Sequence, residues 1–249
     1  MQADLKSFAA NGVYGTCAVT VITSQNTFGV REIKELPVDL IGSQIDAIMT
    51  DIGANAIKTG MLSSSEIIVC VSDKIREYGV ENFVVDPVMK AKGGANLINE
   101  EAIVTLREVL IPMATVVTPN APEASVLTGI NVADLDSARE AAIKLVSMGA
   151  SSVVVKGGHF EEGPATDVFY DGSEFRLFTT RRIDTPNTHG TGCTFASAIA
   201  AGLAKGNSMR DSVSDAKAYV TGAIRHNFQI GGGHGPLNHF YRHWNLTNL

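Results

Sequence analysis

The sequence predicts an α/β fold, a mainly parallel central sheet covered by helices on both faces. Three observations carry that prediction. Short runs rich in Val, Ile and Thr recur along the first two thirds of the chain. Stretches of helical periodicity fill the gaps between them. The runs are near-continuously apolar, the pattern of parallel strands buried on both sides.

The expected strands are CAVTVIT (17–23), NAIKTGM (55–61), NFVVDPVM (82–89), ATVVTPN (114–120) and SSVVVKGG (151–158). Helices are expected around 37–52, 64–78, 99–111 and 135–148. Past residue 158 the pattern changes. ATDVFYDGSEFRLFTTRRI (165–183) reads as a hairpin turning at Asp171-Gly172. Two long helices follow, near 193–204 and 208–228. No linker, repeat or low-complexity segment interrupts the chain, so residues 1–249 are expected to form one domain. Gly231-Gly232-Gly233 follows a helix and reads as a loop.

Composition narrows the function classes. The chain has 249 residues, 45% hydrophobic and 18% charged, enough for a substantial core. A net charge of −6 without Lys/Arg runs is unsuited to coating nucleic acid. No apolar run reaches the roughly 18 residues of a membrane span. MQADLKSFAANG lacks a signal-peptide pattern, so a cytoplasmic location is expected. Cys17, Cys70 and Cys193 are odd in number and widely spaced, unlike a disulfide framework or zinc site. Cys17 and Cys70 lie in apolar runs and read as small core residues.

Candidate chemistry collects at the strand ends. Lys58, Gly60 and Met61 end one run, Asp86 and Pro87 the next, Thr118–Asn120 another, and Lys156–Gly158 the last. Ligands of open parallel sheets bind at the carboxyl ends of strands. Beyond them, NTHGTGCT (187–194) places Gly190, Thr191 and Gly192 in a turn that opens a small-residue helix, with Cys193 at its start. Such a turn points N–H groups at an anion. Asn120 and Glu123 in TPNAPEA suit either a hydrated Mg2+ beside phosphates or a plain helix cap. Lys156 suits a phosphate charge. Neither GxxxxGK[ST] nor a strand-following GxGxxG is present, which argues against a P-loop hydrolase and a dinucleotide oxidoreductase.

In order along the chain, QADLK, TSQNT, KTGML, DPVM, TPNxxE, VKGGH and NTHGTGCT make the sequence similar to the hydroxymethylpyrimidine/phosphomethylpyrimidine kinases of thiamine biosynthesis. These belong to the ribokinase-like superfamily, most of which carries aspartate where Cys193 stands. The resemblance covers residues 2–249. It implies two phosphoryl transfers from Mg·ATP, first to the hydroxymethyl group of 4-amino-5-hydroxymethyl-2-methylpyrimidine and then to the monophosphate. It places Asp4 and Gln25 on the pyrimidine edge and Met61 and Val88 on its apolar sides. Cys193 takes the base position, and the backbone of Gly190, Thr191 and Gly192 holds the transferring phosphate. Asn120 and Glu123 serve Mg2+ and the nucleotide, with Lys156 and Lys217 on the nucleotide side. A thiol near a helix N-terminus is expected to have a lowered pKa. The family commonly forms homodimers, acts on a small molecule, and has no nucleic-acid or membrane partner.

The family also carries an apolar strand and a Ser/Gly-rich loop ahead of QADLK. With the chain starting at MQADLK, the first strand is expected to be missing, leaving an open sheet edge and a wetter site. Two alternatives stay open: a pyridoxal kinase of the same branch, and a non-catalytic ligand-binding relic. A thiol-redox protein would need a resolving cysteine that the sequence does not supply.

Overall fold

The computed structural model describes residues 1–244 except 91–93, 95–96 and 161–162, with only the backbone at His159. Residues 245–249 of the expected domain lie outside the described residues. The chain opens with helix α1 (Gln2–Ala10) and a two-stranded antiparallel hairpin, β1 (Val21–Gln25) and β2 (Val30–Glu35). Then come α2 (Val38–Met49), β3 (Ile57–Thr59), α3 (Ser65–Glu77), β4 (Phe83–Val85) and α4 (Glu100–Thr105). A π turn over Leu106–Leu110 continues α4. β5 (Val116–Val117), α5 (Ala121–Thr128), α6 (Leu135–Ser147) and β6 (Val153–Val155) follow. β7 (Ala165–Tyr170), β8 (Phe175–Thr180), α7 (Thr191–Ala204) and α8 (Met209–Arg225) complete the described elements.

The six-stranded sheet runs β3-β4-β5-β6-β7-β8. Its first four strands are parallel, and β7 and β8 are antiparallel. Strand periodicity explains its two faces. Phe83, Val85, Val117, Val153 and Val155 point to a core with Ile41, Ile67, Leu110 and Leu145. The alternate residues Val84, Val116, Val154 and Phe169 point to a second core with Phe195, Ile199 and Tyr219 of α7 and α8. Both faces are covered, so these valine runs show no polar alternation.

One expected sheet strand is absent. Residues 17–20 carry no regular structure, and Val21–Gln25 pair with β2 instead of joining the main sheet. The physical reason is burial: Ile22, Ser24 and Gln25 are exposed, so this strand has no two-sided core to enter. β3 therefore stands at the sheet edge. The two other cysteines also differ from expectation. Cys17 is exposed, and Cys70 is only partly buried, its thiol directed at Val38 O, 3.6 Å away. The hairpin turn at Asp171-Gly172 is where the sequence put it. Asp171 Oδ1 accepts from the Ser173 and Glu174 N–H groups at 3.0 and 2.8 Å.

Candidate active site

A cleft of about 1560 Å³ opens at the carboxyl ends of the parallel strands, and every expected site residue lines it. Its floor is a chain of buried charges built by strand register. Lys58 lies in β3 opposite Val84, and Asp86 follows β4 directly. Lys156 follows β6 and is bridged to Asn120. Asp86 Oδ1 accepts from Lys156 Nζ at 3.1 Å and from Thr118 Oγ1 at 3.4 Å. Lys58 Nζ donates to Asp4 Oδ1 at 3.0 Å and lies 3.8 Å from Asp86 Oδ2. Asp86 Oδ2 itself has no hydrogen-bond partner despite full burial. A buried carboxylate oxygen without a donor is costly, and here it opens onto the cleft's cations.

The Gly190–Cys193 turn sits over this floor. Gly190 caps α7 in the left-handed region (φ 84°), and no side chain caps the helix. The first helical bond is made by Thr194 N to Gly190 O at 2.8 Å. The Gly192 and Cys193 N–H groups precede it and are left for a ligand. A Cβ on Gly192 would lie 3.2 Å from Lys156 Nζ and 3.9 Å from Asp86 Oδ2, so turn and floor meet closely there. Beneath the turn, Thr194 Oγ1 is 3.0 Å from His239 Nε2. Thr191 Oγ1 donates to Thr188 O at 2.8 Å.

Electrostatics follow from burial. Burial alone would lower the Lys58 and Lys156 pKa values, yet both end raised. Asp4 and Asp86, and Cys193 in its thiolate form, hold the Lys58 charge, and chiefly Asp86 and Glu123 hold that of Lys156. Burial would raise the Asp4 carboxyl, but Lys58, the Met1 amino group at 2.8 Å and Ser197 bring it down to about 2. Burial pushes the Cys193 thiol up, Asp86 and Asp4 add to this, and Lys58 only partly opposes. The expectation of a lowered thiol is thus corrected: desolvation beside two carboxylates outweighs the helix terminus.

Several expected residues keep other company than foreseen. Asp4 is largely occupied by Lys58 and Ser197 (2.6 Å). Asn120 and Glu123 form a reciprocal capping box on α5, each side chain accepting from the other's N–H at 2.8 Å. Burial raises the Glu123 carboxyl, with Lys156 opposing and Asp86 reinforcing. Lys217 Nζ donates to Asp167 Oδ2 at 2.8 Å, and Asp167 Oδ1 accepts from Gly157 N at 3.0 Å. Lys217 therefore supports the Gly157–His159 turn through Asp167. Gln25 stands exposed at the end of β1, while Met61 and Val88 are half-buried in the cleft wall. In the sequence alone, Lys58 and Asp86 stand out only as strand ends. Their lysine and Asp-Pro positions at parallel-strand termini were the available signal.

The phosphomethylpyrimidine kinase family model matches residues 1–238. The chain is 50% identical over 239 residues to the thiamine biosynthesis bifunctional protein ThiED of Geobacter sulfurreducens. That match covers 96% of this chain but only 49% of the relative, so the chain spans about half its length. It is 47% identical to the hydroxymethylpyrimidine/phosphomethylpyrimidine kinase of Bacillus subtilis, over 96% of this chain and 89% of that one. An ADP complex of Bacillus subtilis pyridoxal kinase superposes with a TM-score of 0.91 at 40% identity, covering 98% of this chain and 93% of that one. The chain belongs to the phosphomethylpyrimidine kinase family.

Proposed function

We propose that this protein is an ATP-dependent kinase that phosphorylates 4-amino-5-hydroxymethyl-2-methylpyrimidine and then its monophosphate, giving the diphosphate used in thiamine biosynthesis. The observation that carries this reading is the uncapped turn Gly190–Cys193 facing the Lys58–Asp86–Lys156 floor in a chain of this family. Phosphoryl transfer asks mainly for positioning and for charge stabilisation on the moving group. The turn's N–H groups and the two lysines supply both. The hydroxymethyl oxygen attacks the γ-phosphorus, and the bond to the β–γ bridging oxygen breaks. The hydroxyl proton passes to Cys193 Sγ in its thiolate form, beside Lys58. Gln25 and Asp4 face the pyrimidine edge, with Met61 and Val88 against the ring. Lys156 meets the nucleotide phosphates, and Lys217 acts there through Asp167.

The residues fit a largely hydrated Mg2+. Asp86 Oδ2 accepts no hydrogen bond and has only the Lys58 ammonium 3.8 Å away, and Glu123 is electrostatically linked to Asp86. Both the Glu123 and Asn120 side chains already accept backbone bonds, so they would hold the ion through its water shell. Among the described residues no cluster of three His, Cys, Asp or Glu side chains forms a cage, which suits an ion brought mainly by phosphates. Bound Mg2+ would neutralise charge on the β- and γ-phosphates. The unpaired thiols support a reducing, cytoplasmic setting, and the family resemblance supports a homodimer.

A pyridoxal kinase is the second reading, favoured by the TM-score of 0.91 to the Bacillus enzyme. One experiment separates the two. The purified chain is given Mg·ATP with aminohydroxymethylpyrimidine and, in parallel, pyridoxal, and products are resolved by mass. Pyrimidine diphosphate is the expected product. Pyridoxal phosphate alone would transfer the assignment to the second reading, and ligand binding without ATP consumption would mark a relic. In the same assay, wild-type kcat should rise with pH on the alkaline side, because a raised thiol pKa delays the base form. Cys193→Ser should lose that limb and most turnover. Near-normal turnover in the variant would remove the base role.

A further inference from the structure

The glycine run 231–233 has no part in the chemistry above, yet it is packed more tightly than a plain loop requires. A Cβ on Gly231 would lie 2.5 Å from Thr27 Oγ1 and 2.6 Å from Thr27 Cγ2. One on Gly232 would lie 2.6 Å from Phe28 Cζ, and one on Gly233 would collide with the Thr27 carbonyl. Thr27 and Phe28 form the tip of the β1–β2 hairpin, two and three residues beyond Gln25. Asn26 Oδ1 shapes that tip by accepting from the Phe28 and Gly29 N–H groups at 3.0 and 3.3 Å. His234 N then donates to Thr27 O at 2.8 Å, and Gly233 N to Thr27 Oγ1 at 3.3 Å.

The same segment also holds the phosphate turn. His234 Nδ1 lies 3.1 Å from Pro186 O, and Gly235 N donates to Asn187 Oδ1 at 3.1 Å. His189 N donates to Gly235 O at 3.1 Å. Farther along, His239 meets Thr194 of α7. One strap, residues 231–239, thus touches both the hairpin carrying Gln25 and the turn carrying Cys193.

We propose that Gly231, Gly232 and Gly233 are positioning residues: they seat the hairpin tip and thereby set Gln25 against the pyrimidine in register with the phosphate turn. Side chains at Gly231 and Gly233 would lift the tip, because Thr27 and backbone atoms fill the space a Cβ needs, and one at Gly232 would push on the Phe28 ring. A lifted tip displaces Gln25 while leaving the lysine floor in place. Small displacements of a positioning group have large kinetic effects. The proposal rests on Gln25 contacting the pyrimidine, and its test separates the two.

The test compares the full chain with Gly232→Ala, Gly233→Ala, Gly232→Ala/Phe28→Ala and Gln25→Ala. Hydrogen exchange of amides 21–35 is measured without ligand, and KM for pyrimidine and ATP with it. Both glycine variants should exchange faster over 21–35, with unchanged exchange in β4–β6. Their pyrimidine KM should rise about tenfold with ATP KM within about twofold. Phe28→Ala should restore both readouts in Gly232→Ala, because it removes the ring the new methyl meets. Wild-type exchange in both glycine variants would overturn the seating. Faster exchange with unchanged pyrimidine KM would overturn the positioning role. If Gln25→Ala alone leaves pyrimidine KM unchanged, the Gln25 reading fails, while the exchange data still decide the seating.

Discussion

The lower and upper halves of the cleft are built in different ways. The floor stands on strands whose residues Val84, Val85, Val117, Val153 and Val154 are fully buried. Its charges are therefore fixed by packed core. The β1–β2 hairpin above has Ile22 at 55% exposure and Phe28 at 70%, and its tip is held by glycines and a few backbone hydrogen bonds. Charge placement in a low-dielectric site needs rigidity, because an unpaired buried ion is expensive. Closure over a substrate needs contacts that can be remade. The floor is held by packed core, the hairpin by a few turn contacts.

The sharpest way to break the floor is Asp86→Asn, which leaves the Lys156 and Lys58 ammonium groups without their shared carboxylate. Removing one partner of a buried pair should cost about 3–5 kcal/mol of stability, measured by urea unfolding, and turnover should fall with it. A loss confined to turnover would show that the floor is a catalytic device alone. Next in size is the support beneath the turn. Burial and Lys6 lower the His239 pKa to about 4 against an ordinary 6.5. Between these values the unfolded chain binds the proton and the folded one does not, so stability must fall as pH drops from 6.5 to 4. The full difference is roughly 3 kcal/mol. His239→Gln should flatten that stretch of the pH–stability curve, and an unchanged slope would assign it elsewhere. The smallest effects should contrast the two halves directly. Val84→Ala should cost about 1–3 kcal/mol and Ile22→Ala no more than about 0.5 kcal/mol in thermal unfolding. Equal costs would contradict the division.

Legibility in the sequence follows the same line. Strands β4, β5 and β6 were readable because both faces are buried and their residues are uniformly apolar. CAVTVIT (17–23) reads as a sheet strand because its apolar run imitates a buried one, but residues 17–20 are irregular and Val21–Gln25, with exposed alternate residues, belong to a hairpin. Its partner VREIKE was invisible as a strand, being mostly charged and exposed. α1 was missed because QADLKSFAA mixes polar and apolar residues without a clear stripe. The glycine turn opening α7 and the Asn120 cap are legible because glycine and capping chemistry act within a few residues. The Lys58–Asp4 and Lys156–Asp86 pairs were not, since they join positions 54 and 70 residues apart. Strand register sets Asp86 near Lys156, and the packing of helix α1 brings Asp4 to Lys58; a local pattern encodes neither.

The separations become larger still where the cleft closes. Ser197 donates to Asp4 across 193 residues, and Gly233 to Thr27 across 206. Contacts of such span form only after a large loop-closure cost has been met, which slows folding. During synthesis the floor strands β3 to β6 emerge well before the strap that seats the hairpin. A nascent chain thus acquires its anion-attracting charges early and its complete pocket only when residues 231–239 have left the ribosome. The order of translation itself delays the complete pocket until residues 231–239 have been synthesised.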